Sequence, residues 1–192
     1  MEVLIMTEEN INAFYPIKMQ KLARTHWTPV EIALKASKFL TEDGRNKVLD
    51  LGSGSGKFCL VAALSCSAKI VGVERRENLV QLSRKISKNL ALENLNFIHA
   101  DLIDMDFSLY DSFYFFNSFE ELINSHDKLD KDQELDEKAH QEYVLLLREK
   151  FDQAPAGSRV VTYCGECSEI PGSYRLVKSE SKGKLNYWEK RI

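Results

Sequence analysis

The chain has few cysteines, no apolar run long enough for a membrane, and no strong excess of either charge. Its four cysteines are irregularly spaced, which gives no disulfide framework. Cys164 and Cys167 form a CxxC, but no second pair completes a zinc site, so no metal is expected. A thioredoxin-type pair opens a helix near the start of a chain; this one follows a strand pattern near the end, and reduced loop thiols are expected. No window approaches the ~20 apolar residues that span a bilayer. The opening residues MEVLIMTEEN lack the basic and long apolar stretches of a secretion signal. The expectation is a soluble, cytoplasmic protein without membrane contact. A net charge of −3 leaves no broad basic face, so general DNA binding is not expected. Arg175, Lys178, Lys182, Lys184, Lys190 and Arg191 gather near the C-terminus and read as the solvated surface of a hairpin. Internal repeats and low-complexity tracts are also missing.

What is present suits a single domain over 1–192, with a helical segment over 1–45 leading into a core over 46–192. Segment 8–24 has helical character, with Pro16 as a break. Thr28 and Pro29 look like the cap and first turn of a second helix through Leu40. Strand patterns then alternate with helical ones. Strands are predicted at Lys47–Leu51, Ile70–Val73, Leu95–His99, Ser112–Phe116 and Arg159–Tyr163. Helices are predicted from Lys57, over Glu77–Leu92 and through Tyr143 to Phe151, while 125–142 reads as a charged lid, loop or helix start. The tail pairs Tyr174–Val177 with Leu185–Glu189 around Lys182-Gly183. Such alternation predicts an α/β fold with a doubly wound, mostly parallel sheet, helices on both faces and a C-terminal antiparallel hairpin.

The strongest local signal is Val48-Leu49-Asp50-Leu51-Gly52-Ser53-Gly54-Ser55-Gly56-Lys57. A strand delivers an acid, and Gly52, Gly54 and Gly56 turn the chain into a helix. Glycines there let the backbone approach a ligand and bring helix N-terminal amides to an anion. A dinucleotide fingerprint would need glycine where Lys57 stands, which also disfavours a nicotinamide oxidoreductase. A phosphate-binding P-loop would need glycine at Leu51 and Ser or Thr at Phe58. A second acid, Glu74, ends the second strand, about twenty residues on, where a carboxylate can accept both hydroxyls of a ribose.

The spacing of Asp50, Gly52, Gly54 and Gly56, with Glu74 following, resembles the first motifs of class I, Rossmann-like S-adenosylmethionine-dependent methyltransferases. The resemblance covers roughly Trp27 to Tyr163 and implies a seven-stranded sheet, S-adenosylmethionine as cofactor, and Glu74 as the ribose-binding acid. It assigns Asp101 to the adenine amino group and Leu102 to the ring face. His26-Trp27-Thr28-Pro29 is similar to the T-P element of the lysine methyltransferases that lack the SET fold. There the segment closes over the cofactor's methionine end, which nominates Trp27 and Thr28; a buried Trp and a helix cap would give the same sequence. Asn117-Ser118-Phe119, at the end of the fourth strand, is similar to the acceptor-side motif of amino-group methyltransferases, with Ser in place of the first Pro. It nominates Asn117 and Phe119 as catalytic, Asn117 also touching the cofactor, and Phe115, Phe116 and Phe119 as an apolar channel. Glu120 or Glu121 could hold an incoming amine, although two acids opening a helix also suit its dipole.

The resemblance implies methyl transfer to nitrogen, with a protein lysine favoured as acceptor. RNA or a small molecule is the alternative, and a non-catalytic cofactor-binding module is a third reading. Fold-level likeness fixes the cofactor better than the acceptor.

Overall fold

The computed structural model describes residues 6–21, 27–116 and 137–192. Pro16 divides the first helical stretch: α1 (Glu8–Asn12) ends before it and α2 (Ile17–Gln20) starts on it. A proline's fixed φ suits a helix entry, not its interior. Pro29 starts α3 (Val30–Thr41) in the same way. Thr28 does not cap that helix, contrary to the expectation. Its hydroxyl is bonded to Tyr114 Oη at 2.8 Å, and the Val30 amide donates to the Glu8 carboxylate instead.

From there strands and helices alternate: β1 (Lys47–Leu51), α4 (Lys57–Ser65), β2 (Lys69–Glu74), α5 (Glu77–Asn89), β3 (Leu95–His99) and β4 (Ser112–Phe116). After them come α6 (Glu137–Gln153), β5 (Arg159–Tyr163), β6 (Tyr174–Glu180) and β7 (Leu185–Lys190). Of the charged stretch 125–142, the part from Glu137 on is helix, and 125–136 lie outside the described residues. The seven strands form one sheet in the order β3-β2-β1-β4-β5-β7-β6. Every pairing from β3 to β5 is parallel, and β7 runs antiparallel to both β5 and β6. The chain winds outward from β1 through β2 to β3, then returns to lay β4 on the other side of β1. In open α/β sheets ligands bind at such a switch, beyond the strands' carboxyl ends.

Period-two alternation sends each strand's side chains to two faces. Val48, Ile70, Phe97, Tyr114, Val161 and Tyr187 meet the apolar sides of α3, α4 and α5. Leu49, Val73, Phe113, Phe115 and Val160 meet Leu147 and Phe151 of α6. Both faces are covered, which is why these strands read as continuous apolar runs.

α5 stops three residues short of the predicted Leu92. The Leu92 amide donates to Ser87 O at 3.2 Å and the Ala91 amide to Lys88 O at 3.1 Å. This is a Schellman closure, which places Ala91 in the left-handed region at φ 50° where glycine is usual.

Candidate functional site

The turn between β1 and α4 lies at the switch point. Gly54 and Gly56 both take positive φ, 55° and 78°, but they do different work. A Cβ on Gly56 would lie 2.6 Å from the Phe97 ring, so this glycine lets helix and strand approach. A Cβ on Gly54 would meet no atom within 4 Å: that glycine faces open space. Gly52 also has positive φ, 72°. The turn is tied down by the Ser53 amide on Val73 O at 2.9 Å and the Gly56 amide on Ser53 O at 2.8 Å. Gly56 is the N-cap of α4 and offers its first-turn amides no side-chain acceptor. The Ser55 hydroxyl beside it is buried without a partner. Uncapped amides at a helix start and an unpaired buried hydroxyl suit a carboxylate of a ligand.

Glu74, at the end of β2, is 4% exposed and reaches back to this turn. Its Oε2 accepts from the Gly54 amide at 2.9 Å and from Arg76 Nη2 at 3.2 Å. Its Oε1 accepts from the Arg76 amide and Arg76 Nε, each at 2.9 Å. Burial alone would raise the carboxyl's pKa, but the Arg76 guanidinium and the two amides outweigh it and hold the pKa below its ordinary value.

Asp50 is 3% exposed and accepts from the Cys59 thiol, Sγ to Oδ2 3.0 Å. Burial, together with the charge of Glu74, pushes its pKa up to about 7 against the Cys59 hydrogen bond. Beyond β3, the Asp101 carboxylate caps the short 3₁₀ turn Leu102–Asp104 through the Ile103 amide at 3.2 Å. Its other oxygen accepts from Tyr143 Oη of α6 at 2.7 Å. The Ala100 amide donates to Glu74 O at 3.3 Å, which sets the start of this segment beside the strand-end acid. Leu102 is buried and packs in the core under α6.

The segment before β1 folds onto the start of α4. Trp27 is buried, tilted against Tyr15 with ring centres 4.5 Å apart, and the Lys57 ammonium lies 5.4 Å from its ring. Lys57 is itself 3% exposed and pairs with Glu8, the same carboxylate that receives the Val30 amide. Thr28 is held by Tyr114, whose ring stacks on Phe58 at 3.7 Å. Phe116 and Tyr163 pair at the carboxyl ends of β4 and β5, ring centres 5.0 Å apart. Phe115 does not line a channel with them: one residue along the strand, it points to the opposite face and is buried under α6. Asn117 and Phe119, with His26, Ser118, Glu120 and Glu121, lie outside the described residues. Cys164 and Cys167 are not joined in a disulfide, and Cys167 Sγ lies 3.2 Å from Thr162 Oγ1.

The structure thus brings Gly54, Glu74, Asp50 and Asp101 to one end of the sheet and adds Trp27 and Thr28 from the preceding segment. Arg76, Tyr143, Tyr163 and the Glu8–Lys57 pair are the neighbours that sequence reasoning missed as site residues. Only Arg76 left a local signal, standing two positions after the strand-end acid.

A family model described as a methyltransferase domain matches residues 42–188. The chain belongs to this family. Solved structures share the methyltransferase's fold at low identity. An RNA methyltransferase from Salinibacter ruber, in complex with S-adenosyl-L-homocysteine, superposes with a TM-score of 0.59 at 22% identity, covering 85% of this chain and 93% of that one. The putative methyltransferase yhhF from Escherichia coli gives 0.61 at 13% identity, covering 85% and 86%. TrmN from Thermus thermophilus gives 0.59 at 16% identity, covering 90% of this chain and 52% of its own. No curated protein sequence matches the methyltransferase. Among the described residues, no helix is long and apolar enough to cross a membrane.

Proposed function

We propose that this methyltransferase N-methylates an amino group, with S-adenosylmethionine as donor and a protein lysine as the favoured acceptor. The observation that carries the cofactor assignment is the 2.9 Å bond from the Gly54 amide to Glu74, which joins the strand-end acid to a turn open on its ligand side. Glu74 takes the ribose, Asp101 the adenine amino group, and the start of α4 with Ser55 the methionine carboxylate. Trp27 and Thr28 close the methionine end. S-adenosylmethionine supplies a methyl group already made electrophilic by its sulfonium. The chain has to align an acceptor nitrogen with the carbon–sulfur bond and exclude water. The Phe116–Tyr163 pair gives that side an apolar wall, where desolvation favours the neutral amine over the ammonium. Asn117 and Phe119 are the proposed contacts of the amine.

RNA is the second reading, since one structural neighbour is an RNA methyltransferase. Three of the six hairpin cations already have partners. Arg175 is paired with Glu189 and Lys178 with Glu180, each at 2.9 Å. Lys190 is spent on the end of α6, donating to Asp152 O at 2.7 Å and Ala154 O at 2.6 Å.

The test is calorimetric titration with S-adenosylmethionine and S-adenosylhomocysteine, with NAD as control, followed by transfer of labelled methyl to lysine peptides, RNA and small amines. Micromolar binding of the adenosyl ligands and labelling of peptides are expected. Labelling of RNA alone would replace the acceptor; absence of adenosyl binding would remove the reading.

A further inference from the structure

Glu74 has no acceptor capacity left. A carboxylate offers about four lone-pair positions, and four donors already occupy them: the Gly54 amide, the Arg76 amide, and the Nε and Nη2 of the Arg76 guanidinium. A ribose diol brings two more donors, so two of those present have to leave. The amides cannot, because both belong to the fold. Gly54 sits in a turn pinned at Ser53 and Gly56, and the Arg76 amide, two residues past the end of β2, is the N-cap position of α5. The guanidinium is the movable pair, carried by a side chain 19% exposed where that of Glu74 is 4% exposed.

We propose that Arg76 is a built-in competitor of the cofactor: its guanidinium fork holds the positions on Glu74 that two ribose hydroxyls take in the complex, and an adenosyl ligand binds only as the fork swings off. This rests on Glu74 being the ribose-binding acid. The exchange is two donors for two, one to each carboxylate oxygen, so Glu74 stays saturated and ionised in both states. Burial makes this matter, because a carboxylate out of water must be satisfied by one partner or the other. Arg76 therefore keeps the acid charged and aimed while no cofactor is bound, and lowers apparent affinity by the fraction of molecules in which the fork is closed.

The experiment is titration of S-adenosylhomocysteine into wild type, Arg76→Ala, Arg76→Lys and Glu74→Ala, with the ligand-free Tm of each measured alongside. Arg76→Ala is expected to bind about tenfold more tightly although its ligand-free Tm falls, since it leaves the buried Glu74 carboxylate without its cation. Arg76→Lys keeps the charge without the fork, tightens binding by less, and decides the matter should the alanine variant not fold. Unchanged or weaker binding in a folded variant overturns the proposal; that is the outcome if Arg76 merely supports Glu74. Glu74→Ala separates the two levels. If it binds like wild type, the ribose assignment and the competitor fall together. If it loses binding while the Arg76 variants gain none, the competitor alone falls.

Discussion

The ring of Phe97 fills the space that a side chain on Gly56 would need, with an added Cβ only 2.6 Å away. Gly54, two residues earlier, has no such neighbour. Gly56→Ala should therefore fail in stability, by about 1–2 kcal/mol for the left-handed backbone and a further 1–3 kcal/mol or so for overpacking, read as a fall in Tm. Gly54→Ala should lose roughly 1–2 kcal/mol for the left-handed backbone alone but about tenfold or more in S-adenosylhomocysteine affinity. The reverse ranking would mean that the ligand approaches a different part of the turn.

Ala91 closes α5 in a conformation that suits glycine, at φ 50°. Ala91→Gly should stabilise the protein by up to about 1 kcal/mol, seen as a raised Tm with unchanged cofactor binding. No gain in Tm would show that the left-handed turn carries no strain at this position.

Glu8 serves two donors at once, the Val30 amide and the Lys57 ammonium. Removing its carboxylate leaves a lysine that is 3% exposed without its anion. Glu8→Ala should destabilise the protein by about 1–3 kcal/mol, with hydrogen exchange accelerated first at the start of α3. Glu8→Gln, which still accepts hydrogen bonds, should recover part of the loss. Unaltered exchange at Val30 in the alanine variant would contradict this.

Asp50 makes stability depend on pH in a definite direction. In the folded protein its pKa is about 7, raised by burial, whereas an unfolded aspartate titrates near 3.9. The folded state holds the proton more tightly, so this contribution is complete below the unfolded value and disappears as pH rises through the folded one. Glu74 has the opposite sign, since its lowered pKa yields stability that acid removes. Asp50→Asn stays neutral throughout. The Tm of this variant minus that of wild type should climb between about pH 4 and pH 7 and level off above. A difference that stays flat across that range would mean Asp50 titrates as it does in the unfolded chain.

The strands and the glycine turn were legible in the sequence because both are local patterns: apolar runs flanked by turn residues, and an acid followed by spaced glycines. The partners were not. Thr28 reads as a helix cap because its true partner, Tyr114, is 86 residues away, while the cap's work is done by Glu8 from another helix. Phe115 and Phe116 look equivalent in a run of aromatics, yet strand alternation sends one into the core under α6 and leaves the other beside Tyr163. Leu102 was read from the cofactor's needs alone, and its packing under α6 is a second role that its place in the sequence does not announce. Arg76 escaped notice because motif reading looks for groups that touch a ligand and passes over a side chain that stands in for one.

The segment ahead of β1 is sewn to the start of α4 and to the middle of β4. Glu8 and Trp27 engage Lys57, and Thr28 engages Tyr114. The Rossmann-like core is thus tied to its own leading segment by these contacts. Exchange that segment with one from a relative, and the recipient inherits a buried ammonium lacking its counter-charge and a buried phenol lacking its partner. Positions 57 and 114 would have to travel with it.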